Sequence, residues 1–395
     1  MKYDFNKYMD RRGTDCEKWD GLKDDFGRGD LLAMWVADMD FPAPPEVLEA
    51  IHKKVDEGAL GYPMIPDSLR DTVRAWEKEH YGWEFGREAV SWAPGVVAGL
   101  SFAVMGLTKP GDQIIIQTPV YMPFYRTVRE AGRIIAKNPL KYENGRYTMD
   151  FEGLEKLITP TCRTLILCSP HNPVARVWSR EELERLTDIA IRKNMIIISD
   201  EIHQDLVYSD AKHICIGSLP GMAERTVTFI APSKTFNIAG MKASVAIIPD
   251  ELLRGIYVSV LERFHLNSIN ILGITAMEAA YGKCGEWHRE LVAHLEGNRD
   301  YMEAFVKERM PKAHMDHPEG TYIFWIDFRG YGFNDETLTD FLVNEAKVAL
   351  DPGTWFGVEG DGFARLNIGT TRAMLKEGLE RIAGALDRRE NKKIG

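Results

Sequence analysis

The chain has 395 residues, a length that predicts two or three domains at ~100 to 200 residues per domain. Hydrophobic residues make up 45% of the sequence and charged residues 27%, which excludes a disordered, collagen-like or coiled-coil chain. Acidic side chains outnumber basic ones by 59 to 49, and the net charge of −10 argues against a protein that binds nucleic acid or anionic membranes.

Residues 1–45 are irregular and aromatic, and their first ten residues hold neither an apolar stretch nor a small-residue cleavage site, so we expect no secretory signal. The next notable stretch, Ala89 to Thr108, carries no charge and by length alone could span a bilayer. Pro94-Gly95 and two further glycines interrupt it. It therefore predicts a strand, a tight Pro-Gly turn and a buried helix rather than a membrane span.

The middle of the chain alternates short apolar runs with amphipathic segments. One amphipathic segment, Ser179 to Lys193, opens with Ser179-Arg-Glu-Glu182, a capping box that predicts a helix start. The apolar runs are rich in Ile and Val on both faces, as in a buried parallel sheet. They are residues 113–117, 163–169, 195–199, 227–231 and 243–248. Strand and helix in alternation predict an α/β domain with a mostly parallel, doubly wound sheet.

The pattern changes after about Gly285. A long polar helical stretch from Glu286 to Arg309 is followed by a predicted strand pair around residues 320–327, a helix, and a final strand near Arg365. This order predicts a smaller α+β domain. We therefore expect an N-terminal segment of residues 1–45 associated with the small domain, a large domain of residues 46–285, and a small domain of residues 286–395.

The five cysteines are odd in number and show no CxxC or Cys/His ligand spacing, and the ten histidines are scattered. This pattern predicts reduced, mostly buried thiols, a cytoplasmic protein and no metal site.

Polar residues follow three of the predicted strands, at the strand ends where ligands of parallel sheets bind. They are Asn172 in Ser169-Pro-His-Asn-Pro173, Asp200, and Lys234. Singly, each has an ordinary explanation as a turn residue, a helix cap or a surface lysine. Their order, with 28 residues from Asn172 to Asp200 and 34 from Asp200 to Lys234, is what suggests a shared site.

A carboxylate, an amide and a lysine are the groups that pyridoxal phosphate needs. The lysine amine forms a Schiff base with the cofactor aldehyde, and the carboxylate keeps the pyridine nitrogen protonated. The phosphate requires free amides at a helix start, which Pro94-Gly95-Val96-Val97 supplies.

The sequence resembles the fold-type I pyridoxal-phosphate enzymes of the class I/II aminotransferase group, and most closely the carbon-sulfur β-lyases of the MalY/PatB type and cystalysin. The resemblance covers essentially the whole chain. Its most specific motifs are Arg11-Arg-Gly-Thr14, Lys18-Trp-Asp20, Met34-Trp-Val-Ala-Asp-Met-Asp-Phe41, Gly61-Tyr62, Ser169-Pro-His-Asn-Pro173, Asp200-Glu-Ile-His203 and Ser233-Lys-Thr-Phe-Asn237. The Asp-Met-Asp-Phe segment distinguishes the lyases from ordinary aminotransferases.

The resemblance implies roles for individual residues. Lys234 would bind the cofactor covalently, Asp200 would pair with the pyridine nitrogen, and Tyr121 would stack on the ring. The other implied cofactor contacts are Asn172 and His203 at the ring oxygen, Ser233, Val96, Val97 and Lys242 at the phosphate, and Tyr62 from a partner subunit. Arg365, Asn172, Ala37 and Asp38 would bind the substrate. The resemblance thus implies a homodimer with shared active sites.

The sequence departs from the wider family pattern at three positions. His203 stands where aminotransferases have a tyrosine, and Lys242 replaces the usual arginine. Ala175 stands where a glycine is normal, at a cost of about 1 kcal/mol if its φ is positive.

Three functions fit these residues. In a β-lyase, Lys234 removes the α-proton and a thiolate leaves the β-carbon; in an aminotransferase, the same core residues return the proton to the cofactor. The segment from Trp35 to Phe41 favours the lyase. A non-catalytic regulator that keeps the fold is disfavoured by the intact Lys234, Asp200 and Arg365.

Overall fold

The structure is a computed structural model that describes residues 2–143 and 145–394. Its strands are β1 (Leu32–Ala33), β2 (Val90–Ala93), β3 (Gln113–Ile116), β4 (Ile134–Lys137), β5 (Lys141–Glu143), β6 (Arg146–Thr148), β7 (Thr164–Cys168), β8 (Ile196–Asp200), β9 (Thr226–Ile230), β10 (Ser244–Ile247), β11 (Ile323–Asp327), β12 (Val348–Ala349), β13 (Asp351–Pro352) and β14 (Phe363–Asn367). All five predicted apolar runs form strands, because each is buried on both faces.

The central sheet has seven strands in the order β2-β10-β9-β8-β7-β3-β4. Strands β9, β8, β7, β3 and β4 pair in parallel, which confirms a mostly parallel α/β sheet. Composition predicts that residues 243–248 form a strand of the parallel sheet, and this prediction is wrong in direction: β10 runs antiparallel to both β2 and β9. Burial on both faces selects the same residues for either direction, so composition did not reveal the reversal.

The α-helices are α1 (Glu17–Asp20), α2 (Leu22–Phe26), α3 (Pro45–Asp56), α4 (Asp67–Tyr81), α5 (Val96–Leu107), α6 (Pro123–Glu130), α7 (Phe151–Leu157), α8 (Arg180–Arg192), α9 (Pro232–Thr235), α10 (Glu251–Arg263), α11 (Ile271–Lys283), α12 (Gly285–Arg309), α13 (Asp335–Asp340) and α14 (Arg372–Ile394). Apolar side chains of α5, α6 and α10 pack on one face of the central sheet. Those of α7 and α8 pack on the other, so helices cover both faces as a doubly wound sheet requires.

Two local predictions are confirmed in detail. The uncharged stretch forms β2, a turn at Pro94-Gly95, and the 12-residue helix α5. Helix α8 begins with the predicted capping box, in which Ser179 accepts from the Glu182 amide and the Glu182 side chain accepts from the Ser179 amide. None of the described helices is both long and apolar enough to cross a membrane.

The C-terminal part of the chain contains a three-stranded antiparallel sheet in the order β11-β14-β13. The predicted strand pair around residues 320–327 is wrong, because this segment contributes the single strand β11, whose partner β14 comes some forty residues later in the chain. The N-terminal segment joins the C-terminal part through the parallel pairing of β1 with β12. The domain limits at residues 45 and 285 stay predictions.

Candidate functional site

A cavity of about 270 Å³ lies where β7, β8 and β9 end. Register places the last residues of β7 and β8, Cys168 and Asp200, side by side, and Asp200 beside Phe229 of β9. The segments that follow these strands therefore meet at one edge of the sheet. The cavity is lined by ten of the residues singled out in the sequence, namely Ala37, Val96, Val97, Tyr121, Asn172, Asp200, His203, Ser233, Lys234 and Lys242.

Asp200 is buried at the base of this cavity, and one of its oxygens accepts a hydrogen bond of 3.2 Å from the Ile202 amide. Burial raises the pKa of the Asp200 carboxyl to about 7, while the Ile202 amide and the Lys234 ammonium partly oppose this rise. An acid in this setting gains strongly from a cation placed beside it in the cavity.

Lys234 lies on the short helix α9, immediately after β9. Its Nζ donates a 2.7 Å hydrogen bond to the backbone carbonyl of Ala37. Burial lowers the pKa of the Lys234 ammonium to about 8, and the nearby Arg365 lowers it further, whereas Asp38 and Asp200 raise it. A substantial fraction of the lysine is therefore neutral near pH 8 and can act as a nucleophile or a base.

The N-terminus of α5 forms another wall of the cavity. Gly95 precedes it with φ of 105° and ψ of 150°, a conformation that is essentially limited to glycine. No described side chain caps this helix, so the first amides, including those of Val96 and Val97, are open to the cavity. Ser233 and Lys242 also line the cavity. An anion bound here would therefore find backbone amides, a hydroxyl group and a cation.

His203 and Asn172 provide neutral polar groups in the same cavity. Burial lowers the pKa of His203 to about 3, and the positive charges of Lys234 and Arg365 act in the same direction, so its imidazole is neutral. The Nδ1 atom of His203 is buried without a hydrogen-bond partner among the described residues. An unmatched buried polar atom beside a cavity marks a position where a ligand can complete the hydrogen bonding.

Arg365 reaches the site from β14 without lining the cavity itself. Its Nη1 donates to Asn172 Oδ1 at 3.0 Å, and its Nη2 donates to the Trp35 carbonyl at 3.3 Å. Nη2 also pairs with the Asp351 carboxylate. The guanidinium is thus fixed beside the cavity by three acceptors.

The segment from Met34 to Phe41 passes beside the cavity, which Ala37 lines, and it is held by the other motif residues. Arg11 pairs with Asp38 at 2.8 Å, and the buried Lys18 pairs with Asp40 at 2.7 Å. The Asn237 side chain, three residues after Lys234, bonds the backbone of Met39. These contacts explain why the motifs occur together: they fix the Ala37 carbonyl that Lys234 contacts.

The remaining predicted residues lie outside the cavity. Tyr62 is fully exposed in the single chain. Asp38 pairs with Arg11, and its negative charge raises the pKa of Lys234. Ala175 has φ of 56°, so the strained left-handed conformation considered for this position is present.

Sequence reasoning missed two polar residues beside the site. Tyr322 donates to the same Ala37 carbonyl as Lys234, at 2.9 Å, and Asp351 pairs with Arg365. Asp351-Pro-Gly353 reads as an ordinary turn, and only the antiparallel register of β13 with β14 places its first residue opposite Arg365.

A second buried cluster lies next to the site, where ligand atoms of Glu201, His213 and Cys215 are within 4.8 Å of one another. The sequence predicted no metal site. Glu201 already accepts hydrogen bonds from the Ser199 hydroxyl and the Ile216 amide, and its second oxygen bonds His213 Nε2 at 2.8 Å. We interpret the cluster as a hydrogen-bond network of the core. All five cysteines are buried and free, as predicted.

Comparison with known proteins places this fold and site in a family. The sequence profile of the family "Aminotransferase class I and II" matches residues 30–382. The chain belongs to the class I and II aminotransferase family. Within that family it is 44% identical to cystathionine beta-lyase PatB of Bacillus subtilis, across 97% of this chain and 99% of PatB.

Solved structures of the class I and II aminotransferase family share the fold across nearly the whole chain. Cystalysin from Treponema denticola, whose crystals contain pyridoxal 5'-phosphate, has a TM-score of 0.95 and 35% identity, covering 98% of this chain and 100% of cystalysin. The PLP-bound C-S lyase from Staphylococcus hominis has a TM-score of 0.91 and 32% identity, covering 98% of each chain. The fold-type I architecture expected from the sequence is confirmed.

Proposed function

We propose that the protein is a pyridoxal-phosphate-dependent carbon-sulfur β-lyase that cleaves L-cystathionine or related cysteine S-conjugates to a thiol, pyruvate and ammonia. The observation that carries the proposal is the convergence of Lys234, Asp200 and the open N-terminus of α5 on one cavity. Similarity to PatB and cystalysin over the full chain supports the lyase reaction.

The cavity fits pyridoxal phosphate at each of its functional groups. The α5 amides, Ser233 and Lys242 suit a phosphate dianion, and the Gly95 backbone keeps this wall free of a side chain. Asp200 is a buried carboxylate without a cation hydrogen-bonded to it, as a protonated ring nitrogen requires. The unmatched His203 Nδ1 and the Asn172 side chain can meet the ring oxygen, and Tyr121 supplies an aromatic wall.

When bound, pyridoxal phosphate supplies an electron sink for the negative charge that develops at the substrate α-carbon. Asp200 supports this chemistry by holding a proton on the ring nitrogen. A cation at that position favours the ionised carboxylate, so binding lowers the pKa of Asp200 from its raised value. His203 stays neutral and therefore adds no charge beside the ring oxygen.

Lys234 moves the protons of the reaction. Its Nζ, held near the Ala37 carbonyl, would take the proton from the substrate α-carbon. The β-carbon–sulfur bond would then break, the electron pair would leave with the sulfur, and the proton held by Lys234 would be returned to give the thiol. Addition of water to the remaining three-carbon fragment yields pyruvate and ammonia.

Substrate orientation falls to residues on the other side of the cavity. Arg365, held beside Asn172, presents a planar cation to the substrate α-carboxylate. Ala37 lines the cavity and Asp38 follows it, in the segment that distinguishes lyases from aminotransferases and whose Ala37 carbonyl accepts from Lys234. The shape of the cavity beside this segment is the feature we expect to select among sulfur amino acids.

Pyruvate release tests the proposal. Purified protein loaded with pyridoxal phosphate is mixed with L-cystathionine, with and without an added keto acid, and pyruvate and thiol are measured. A lyase releases equal amounts of both without a keto acid. Consumption of L-cystathionine that requires the keto acid and releases no thiol identifies an aminotransferase, and an absence of turnover across a panel of cystine and S-alkyl cysteines contradicts the enzymatic proposal.

We further propose a homodimer in which each subunit completes the other's site. Leu60, Tyr62 and Met64 lie in a segment without helix or strand, and their apolar side chains are exposed in the single chain. Soluble proteins seldom expose such a run without a partner. In a two-fold dimer, Tyr62 of one subunit would reach the phosphate held by α5 of the other, so each of the two sites would need both chains.

Complementation between inactive variants tests the shared sites. Tyr62→Ala chains, first shown to be impaired alone, are mixed with Lys234→Ala chains under conditions that allow subunit exchange. One site of each mixed dimer carries both substitutions and the other carries neither, so activity returns. Exchange verified by mass without any return of activity contradicts the shared site.

A further inference from the structure

Asp351 and Arg365 form a buried ion pair that is built into the register of the small sheet. The two residues are direct partners across β13 and β14, and the Asp351 carboxylate pairs with Nη2 of Arg365. Both side chains are almost completely buried. Because directly opposed residues of antiparallel strands point to the same face, the backbone itself brings this carboxylate to the guanidinium.

The ion pair occupies the part of Arg365 that a substrate carboxylate needs. A guanidinium binds a carboxylate in two-pronged fashion along an edge formed by Nη2 with either Nε or Nη1. Nη2 has two N–H groups, and Asp351 and the Trp35 carbonyl accept them. Nη1 donates one N–H to Asn172, and Nε is buried without a partner among the described residues. Neither edge is therefore open in full.

We propose that Asp351 is an internal competitor for the substrate carboxylate. This proposal rests on the proposed role of Arg365 as the carboxylate site. A carboxylate ligand takes the Nη2 N–H that Asp351 gives up, Nε gains the partner it lacks, and Asp351 takes up a proton from solvent. The site thereby couples the binding of carboxylates to proton uptake.

The charges around Asp351 favour this exchange. Two carboxylates that share one guanidinium in a buried site repel each other, and protonation of one removes the repulsion. Burial raises the pKa of Asp351 to about 6; the charges of Asp25 on α2 and Glu17 on α1 add to the rise, and Arg365 opposes it. Tyr121 also faces Asp351, and burial raises the pKa of this phenol, which therefore stays neutral.

The affinity for a carboxylate ligand should fall as the pH rises. Below about pH 6 Asp351 is protonated and Arg365 is available, so a carboxylate binds without competition. Above this pH Asp351 is charged, and each further pH unit weakens binding by up to tenfold, because one proton must be taken up for each ligand bound. Asparagine at position 351 still accepts a hydrogen bond but carries no charge, so it competes less strongly and does not titrate.

Calorimetric binding of 3-(methylthio)propionate tests the proposal on the cofactor-loaded dimer. This ligand has the carbon and sulfur skeleton of a cysteine thioether but lacks the amine, so its own charge is constant from pH 6 to 8. Binding is measured at pH 6.5 and 7.5 in two buffers of different ionisation heat, which yields the number of protons taken up. We expect the dissociation constant of the unmodified protein to rise about five- to tenfold between these pH values, with close to one proton taken up at pH 7.5.

Two variants isolate the contribution of Asp351 from that of other titrating groups in the cavity, Lys234, Asp200 and His203. Asp351→Asn should bind the ligand at least fivefold more tightly at pH 7.5, with little pH dependence and no proton uptake. Asp327→Asn, which removes a carboxylate of β11 that pairs with Arg329 away from the cavity, should behave like the unmodified protein. Cofactor absorbance and melting temperature confirm that both variants fold.

Unchanged or weaker binding by Asp351→Asn, or binding to the unmodified protein without proton uptake, overturns the proposal. The proton count of the unmodified protein needs no variant to refute the proposal: binding without proton uptake overturns it even if Asp351→Asn does not fold, and uptake is assigned to Asp351 when the variant abolishes it. The Arg365→Ala variant distinguishes a failure of the Asp351 proposal from a failure of the proposed carboxylate site. If Arg365→Ala abolishes binding of the ligand, Arg365 is the carboxylate site and only the competitor role of Asp351 is lost. If binding survives Arg365→Ala, both are overturned.

Discussion

Asp200 and Asp205 lie five residues apart in the same segment, and both are buried, yet the protein treats them in opposite ways. Asp205 accepts hydrogen bonds from Trp76 Nε1, Tyr81 Oη and Thr235 Oγ1, so its charge is stabilised within the core. Asp200 accepts one backbone amide and otherwise faces the cavity. A buried carboxylate with too few hydrogen-bond donors therefore marks a binding position, whereas one with a full set of donors stabilises the fold.

Two helix starts differ in the same way. Helix α8 is closed by the Ser179–Glu182 capping box, which satisfies its first amides. Helix α5 begins at Gly95 without a capping side chain among the described residues, and its first amides face the cavity. In both comparisons the unsatisfied member lies in the proposed cofactor site.

The largest expected effect is on catalysis. Asp200→Asn should lower kcat for pyruvate release on the order of 10³-fold, because asparagine cannot hold a proton on the ring nitrogen by charge. Steady-state kinetics at saturating substrate measure this. Asp205→Asn is the matched control and should lower kcat by less than tenfold; equal losses in the two variants would erase the comparison.

The two substitutions should also change the free energy of unfolding in opposite directions, with a gain for Asp200→Asn and a loss for Asp205→Asn. In cofactor-free protein above pH 7, Asp200→Asn should raise the free energy of unfolding, because the folded state no longer has to bury a charge. The raised pKa gives the sign: the unfolded carboxyl ionises near pH 4, the folded one near 7, so the penalty grows as pH rises across this window. Urea unfolding at pH 4 and 8 measures the change; a gain equal at both pH values contradicts it.

Asp205→Asn should lower the free energy of unfolding by about 2 kcal/mol, because charge-assisted hydrogen bonds are each worth ~1.5 to 3 kcal/mol and asparagine keeps part of the set. Urea unfolding of the dimer at pH 7 is the measurement. Thr235→Val, which removes one of the three donors and lies next to Lys234, should give a smaller loss. An unchanged free energy of unfolding in Asp205→Asn would contradict the structural role of this carboxylate.

The capped helix predicts a smaller change. Ser179→Ala should cost about 1 kcal/mol of stability and leave the affinity for pyridoxal phosphate unchanged, because α8 contributes nothing to the cavity. Gly95→Ala, at the uncapped helix, should weaken cofactor binding by about tenfold, because the strained conformation costs ~1 to 3 kcal/mol with a side chain. Fluorescence titration of both variants with cofactor compares them; similar affinities would remove the distinction between the two helix starts.

The smallest effect concerns Ala175, which has a left-handed backbone at φ of 56°. Ala175→Gly should raise the free energy of unfolding by up to about 1 kcal/mol, because relief of strain exceeds the added freedom of glycine in the unfolded chain. Ala190→Gly, at a buried position in the last turn of α8, is the control and should lower stability by about 1 kcal/mol. A loss at both positions would contradict the strain.

The sequence identifies those parts of the fold and site whose physical cause is local. Runs such as Ile114–Ile116 are buried on both faces, so composition reveals them as strands, and the residues after β7 and β8 follow from strand order. The direction of β10 depends on its neighbours instead. Asp351 becomes relevant to the site only through pairing with β14, and a role for Tyr62 requires a second chain, so neither follows from local pattern.

The central claim is that the cavity holds pyridoxal phosphate with Lys234 as its covalent anchor. Borohydride reduction of the cofactor-loaded protein, followed by peptide mapping, tests it most directly, because the cavity contains a second lysine, Lys242. We expect one labelled peptide with the cofactor on Lys234, and loss of the label in Lys234→Ala but not in Lys242→Ala when cofactor is saturating. A label on Lys242, or on a lysine outside the cavity, would contradict it.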